Sequence, residues 1–223
     1  MHILAKIFKP INLAKYQMRN ILLIGGMGSG KSTLAVRLLR ENPNANYIYM
    51  SKFNVRIPMA LIATTHPQLL KLPKEEYFET IQKNQCIEWL PFTRQQMDDF
   101  GRKIIQTYGE TTLAELGEYV INPDCQNILD NLPGVRNVQY LKDKGFFIVG
   151  LNCSSETQLS RRKSARKNID PTLSSDLEKQ INATNAYFEI SETLKLADIT
   201  YDTDTLRKTE YTRIAREILE KTR

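Results

Sequence analysis

Cysteine is scarce. Cys86, Cys125 and Cys153 lie far apart in a chain of 223 residues. No CxxC and no Cys/His cluster occurs, so neither a structural zinc nor a disulfide framework is indicated. Reduced, scattered thiols point to the cytoplasm. No run of 18 apolar residues is present, which excludes a membrane-spanning helix. Low-complexity stretches and internal repeats are also missing. Charge of one sign is not abundant: 31 Lys and Arg stand against 25 Asp and Glu, a net +6 with pI near 9.1. So mild an excess suits nucleic acid, an acidic membrane or a phosphorylated small molecule, and does not choose among them. What is there is ordinary for a globular protein, 41% hydrophobic and 25% charged residues. Against about 150 residues per domain, the length gives one large domain or two small ones, able to bury a core without metals or disulfides.

Residues 1–17 are basic and partly apolar, with Lys6, Lys9 and Lys15. They lack the long apolar core and small-residue cleavage site of a secretory signal, and Pro10 would interrupt an amphipathic helix. They read as a tail before a domain covering 18–223, with Met18 a candidate internal start.

The chemistry begins where glycine concentrates. Ile21 to Ile24 is a short apolar run of the kind that forms a buried parallel strand. It leads into Gly25-Gly26-Met27-Gly28-Ser29-Gly30-Lys31-Ser32, which satisfies G-x-x-x-x-G-K-S. Leu34, Ala35, Leu38 and Leu39 follow at helical spacing. Strand, glycine loop and helix together make the pattern a phosphate loop. Glycines let the backbone wrap closely and turn its N–H groups inward. The helix N-terminus adds partial positive charge. Gly26, Met27, Gly28, Ser29, Gly30, Lys31, Ser32 and Thr33 are thus the candidate residues for binding a nucleoside triphosphate. Lys31 carries the mobile charge for the β- and γ-phosphates, and Ser32 is a candidate Mg²⁺ ligand.

A second apolar run, Tyr47 to Met50, precedes Ser51-Lys52-Phe53-Asn54-Val55-Arg56 at a strand's carboxyl end, where open α/β sheets bind ligands. Arg56 is a candidate clamp for an anionic acceptor. Residues 64–92, broken by Pro67, Pro73 and Pro91, read as an insertion over the sheet edge, either a lid or a packed excursion. Thr93 to Tyr108 is helical, with Thr93 and Gln96 forming a capping box and Met97, Phe100, Ile104 and Ile105 facing inward. A short strand ends in Asp130, a candidate for holding Mg²⁺ or orienting the attacking group. Arg136, beyond Gly134, is a second candidate acceptor clamp. The strand Gly145–Leu151 is followed by a helix bearing Arg161, Arg162, Lys163, Arg166 and Lys167. At least one of Arg161, Arg162 and Arg166 is expected to neutralise the transferring phosphoryl group, with Arg162 and Arg166 favoured. The run holds no aromatic residue for stacking bases, which argues against nucleic acid. A long helix over Leu173–Ala197, a last strand near Ala197–Asp202 and a helix over Arg207–Lys221 complete a parallel sheet covered on both faces.

These segments, taken in order, resemble the P-loop nucleotide kinase group: nucleoside monophosphate kinases, phage-type deoxynucleotide kinases and dephospho-coenzyme A kinases. The resemblance rests on Gly25–Thr33, on Thr93–Arg102 with Tyr108-Gly109, on Asp130–Leu141, and on Glu156–Arg166 with Leu196-Ala197-Asp198 and Asp202. It implies a three-layer α/β/α P-loop NTPase fold with a five-stranded parallel sheet and a helical lid at about 154–175. It also implies ATP as donor, Mg²⁺, adenine near Asp202, and a lid closing through Arg162 and Arg166. Dephospho-coenzyme A kinases carry an acid after the second strand, where this chain has Ser51-Lys52-Phe53-Asn54. A phosphate acceptor is already ionised and needs no such base, so a nucleoside monophosphate becomes the expected acceptor. The alternatives are a coenzyme A-type acceptor and an ATP-binding module without a small acceptor. No Asn-Lys-x-Asp guanine motif supports a GTPase switch. The expected assembly is a monomer or homodimer.

Overall fold

The computed structural model describes residues 18–87, 90–165 and 174–223. The tail at 1–17, Trp89 and Arg166 lie outside them.

Five strands build one sheet: β1 Ile21–Gly25, β2 Asn46–Tyr49, β3 Asn127–Asp130, β4 Phe147–Asn152 and β5 Ile199–Asp202. Their spatial order is β2-β3-β1-β4-β5, and every pairing is parallel. All the carboxyl ends therefore meet at one edge. β1 is central and buried along its whole length. Alternation splits its side chains between two helical layers. Leu22 and Ile24 face one core with Ile48, Leu61, Tyr77, Ile104, Leu116 and Leu129. Ile21 and Leu23 face the other, formed with α1 Lys31–Glu41 and α10 Glu210–Lys221 through Leu34, Leu38, Tyr211, Ile214 and Ile218. Burying one such side chain is worth about 1.5–3 kcal/mol, which explains why this run is apolar without interruption.

The first layer carries α2 Ile57–Thr64, α3 Lys74–Lys83, α4 Arg94–Tyr108, α5 Thr112–Val120 and α6 Val135–Asp143. Its members Leu69, Tyr77, Phe78 and Ile81 are core residues, so the described part of 64–92 is anchored in this core. α4 starts with both halves of the Thr93/Gln96 capping box. Its buried face is turned from the expected one: Asp98, Gly101 and Ile104 point inward, while Phe100 and Ile105 pack only partly. α7 Ser155–Ala165 follows β4. The long helix expected after it is two, α8 Ser174–Tyr187 and α9 Ile190–Leu194. Glu189 breaks them at φ 49°, in the left-handed region that costs an L-residue energy. Its carboxylate accepts the Val135 N–H at 2.7 Å, which anchors the break. No helix among the described residues is long and apolar enough to cross a membrane.

Candidate active site

The glycine loop joins β1 to α1 at the carboxyl edge of the sheet. Gly28 and Gly30 sit at φ 85° and 97°, where a side chain would be strained. A Cβ at Gly30 would also meet the Tyr211 hydroxyl of α10. The first turn of α1 contains no acid, so nothing on it offsets the positive helix end. Lys31 Nζ donates to Gly25 O at 2.7 Å and to Gly26 O at 2.9 Å, which folds the ammonium back over the loop.

Asp130 ends β3, the neighbour of β1, and Leu23 and Asp130 are register partners. It is 1% exposed. Tyr47 donates its hydroxyl to Asp130 Oδ2 at 3.1 Å. Burial pushes the Asp130 carboxyl up from its ordinary range, against the attraction of Lys31 and the Tyr47 hydrogen bond. Burial likewise lowers Lys31; Asp130 opposes the shift, and Arg162 and Arg94 reinforce it. Asp130 and Lys31 thus attract one another at the carboxyl edge of the sheet. Magnesium takes one or two protein oxygens and otherwise waters and phosphates. The Ser32 hydroxyl and the Asp130 carboxylate, hard donors beside the phosphate loop, fit that demand. No cluster of three His, Cys, Asp or Glu exists among the described residues, and magnesium bound with a nucleotide does not need one.

Arg161 has a structural task. Its guanidinium donates to Gly28 O and Thr203 Oγ1, both at 3.2 Å, and to Thr203 O. Thr203 Oγ1 in turn donates to Ser29 O at 2.9 Å. This stitches the loop to the segment after β5, so Asp202 lies one residue from a contact with the phosphate loop. Asp202 itself accepts the Asp204 N–H at 3.0 Å.

Beyond β2 the chain makes one wide helical turn over Lys52–Arg56 before α2, burying Phe53, Asn54 and Val55. Such turns recur at functional sites. Beside it lies a small cavity, lined among others by Ser51, Asn54, Arg94, Asp98, Asn131 and Phe188. Asn54 is 1% exposed, and neither atom of its carboxamide has a hydrogen-bond partner. The Asn131 Nδ2 is also buried without one. Leaving such groups unpaired costs about 1–3 kcal/mol each, so the cavity wall offers polar atoms able to bond a ligand. Arg94 pairs with Asp98, Nε to Oδ2 at 3.1 Å and Nη2 to Oδ1 at 2.9 Å. It also stands 5.5 Å from the Phe188 ring centroid. Burial raises the Asp98 carboxyl, and Arg94 restrains the rise.

The structure thus gathers Gly26 to Thr33, Asp130 and Arg162 at one edge. Arg136 is not among them: it is 78% exposed and faces Glu110 at 3.5 Å. Its position at the second residue of α6 turns it away from the cavity. Arg56 closes the wide turn without lining the cavity. Sequence reasoning missed Asn54, Arg94, Asp98 and Asn131. The i,i+4 spacing of Arg94 and Asp98, directly after a capping box, was a legible signal. No local pattern marks Asn54, whose meaning comes from losing every partner on burial.

No protein-family model matches the chain, and no curated protein matches it by sequence. Among solved structures, shikimate kinase from Bacteroides thetaiotaomicron matches with a TM-score of 0.49 and 17% identity, over 91% of this chain and 99% of that one. Shikimate kinase from Acinetobacter baumannii, in complex with shikimate, matches at 0.47 and 17%, over 93% and 94%. The enzyme from Aquifex aeolicus matches at 0.41 and 16%, over 91% and 96%. These are shikimate kinases and not the nucleotide kinases that the sequence motifs resemble.

Proposed function

We propose that the protein is a P-loop kinase that moves the γ-phosphoryl group of ATP to a small polar acceptor in the cavity beside α4. The observation that carries this is the adjacency of cavity and phosphate loop: Asn131, directly after Asp130, lines the cavity, and Asn185, which accepts the Met27 N–H at 3.2 Å, stands two residues before the cavity's Tyr187. A donor site and an acceptor site thus adjoin, as phosphoryl transfer requires.

In this reading the loop amides and Lys31 hold the triphosphate. Magnesium, held by Ser32 and Asp130, supplies charge neutralisation when bound. An acceptor oxygen bonds to the γ-phosphorus as the bond to the β-phosphate oxygen breaks, releasing ADP; where that oxygen is a hydroxyl, its proton passes to the Asp98 carboxylate in the cavity wall. Lys31, Arg162 and Arg94 face the charge that spreads over the transferring group. Arg166 is proposed beside Arg162 from the sequence alone, and Asp202 is proposed to border the adenine.

The acceptor is the finer question. A nucleoside monophosphate was expected to be clamped by Arg56 and Arg136. With Arg136 facing Glu110 outside the cavity, the cation lining the cavity is Arg94, already paired at two points with Asp98. This favours a hydroxylated acceptor of low charge over a doubly charged phosphate, and shikimate is one such molecule. A nucleoside monophosphate is the second reading, supported by Asn54, whose carboxamide matches a nucleobase edge, and by the aromatic wall of Tyr187 and Phe188. The deciding experiment incubates the protein with Mg-ATP and a panel of monophosphates, shikimate and dephospho-coenzyme A. ADP and a phosphorylated acceptor should appear in equal amounts for one class. ATP loss with no phosphorylated acceptor in any arm would refute the kinase and leave an ATPase module.

A further inference from the structure

The motif of the phosphate loop calls for glycine at positions 25 and 30 and leaves position 26 open. Gly26 does not adopt a left-handed φ. Conformation therefore does not explain it, but space does. A Cβ there would lie 2.9 Å from Gln158 Nε2 and 3.0 Å from Asn185 Oδ1. Two carboxamides from different helices, α7 and α8, are packed onto the loop.

They are also hydrogen-bonded in series. The Met27 N–H donates to Asn185 Oδ1 at 3.2 Å. Asn185 Nδ2 donates to Gln158 Oε1 at 2.9 Å, and Gln158 Nε2 donates to Cys153 O, at the end of β4, at 3.1 Å. Asn185 thus holds a main-chain donor of the phosphate loop. Two and three residues later α8 presents Tyr187 and Phe188 to the acceptor cavity. Tyr187 also lies under Arg102 at 5.0 Å and fills the space at Gly101, while Phe188 lies against Arg94. One turn of helix connects the donor loop to the acceptor wall.

We propose that Asn185 is a positioning residue that reports the terminal phosphate of the donor to the acceptor cavity. This rests on the donor-site reading above, and on neither choice of acceptor. A phosphate oxygen is a stronger, charged acceptor for the Met27 N–H than a neutral carboxamide. Binding of a triphosphate competes for that N–H and frees Asn185, and α8 carries the change to Tyr187 and Phe188. By linkage, an occupied cavity feeds back on triphosphate affinity by the same factor.

The test compares Mg-AMP-PNP with Mg-ADP on the full chain, by calorimetry and by hydrogen exchange at the Phe188 and Glu189 amides. In Asn185→Ala the affinity for AMP-PNP rises about fivefold relative to ADP, as one competing hydrogen bond is removed. In the near-isosteric Asn185→Asp it falls about tenfold or more relative to ADP, because a carboxylate faces phosphate. Exchange at the two amides differs between the nucleotide complexes in the unaltered chain and not in Asn185→Ala. If Asn185 only props α8, both variants shift the two nucleotides alike and the exchange difference persists; either result overturns the proposal. An unaltered chain that binds neither nucleotide would remove the donor-site reading itself, which calorimetry distinguishes before any variant is made.

Discussion

At the scale of single residues, the proposed function sets Lys31 against the charge that develops during transfer. Lys31→Ala should reduce turnover by about 10²–10³, as for one lost transition-state donor, measured as kcat on the best acceptor. Asp130 gives a pH signature. Its carboxyl is raised by burial, so between the unfolded value near ~3.9 and the folded one the native state binds more protons. Stability therefore falls as pH rises through that interval, and Asp98, shifted the same way, adds to the fall. Asp130→Asn should flatten that slope in thermal melts and raise stability at neutral pH. It should also abolish the activity. Asn54 predicts a split between function and stability. Asn54→Leu removes two unpaired buried polar atoms, so the melting temperature should rise by about 2–4 °C per kcal/mol recovered. KM for the acceptor should increase about tenfold or more, with KM for ATP little changed. Lys31 was legible because its neighbours in sequence are its partners in space. Asn54 was not, because its significance arises from the absence of partners after α2, α4 and α8 close around it.

At the scale of elements, periodicity carried far. β1 is the buried strand its apolar run predicts, the closing helix is present as α10, and the capping box of α4 is in place. Thr93→Ala should lower stability by about 1 kcal/mol, read as a shift in the denaturant midpoint with an unchanged slope. The misreadings have physical causes. Helical spacing placed Phe100 on the inner face of α4, whereas the space beside Tyr187 is filled only if Gly101 faces it. The break between α8 and α9 carries no glycine or proline. It is held by Glu189 bonding the Val135 N–H across the sheet edge, a partner remote in sequence. Arg136 sits near a glycine turn, as its expected role required, but its side chain leaves toward Glu110.

At the scale of the whole molecule, a central apolar strand divides its side chains between two cores, and a parallel sheet brings every loop that matters to one edge. That much follows from alternating strand and helix patterns. The joining of phosphate loop and cavity through α8 does not, since those contacts form only on folding. A ligand at 100 times its Kd stabilises by about 2.7 kcal/mol, so saturating Mg-ATP should raise the melting temperature by about 5–10 °C for a domain of this size. The most direct test is a calorimetric titration of Mg-ATP into the unaltered chain and into Lys31→Ala. Saturable binding at one site in the first, lost or severely weakened in the second, is the expected outcome; no heat in the first, or equal affinity in both, would contradict the account at its root.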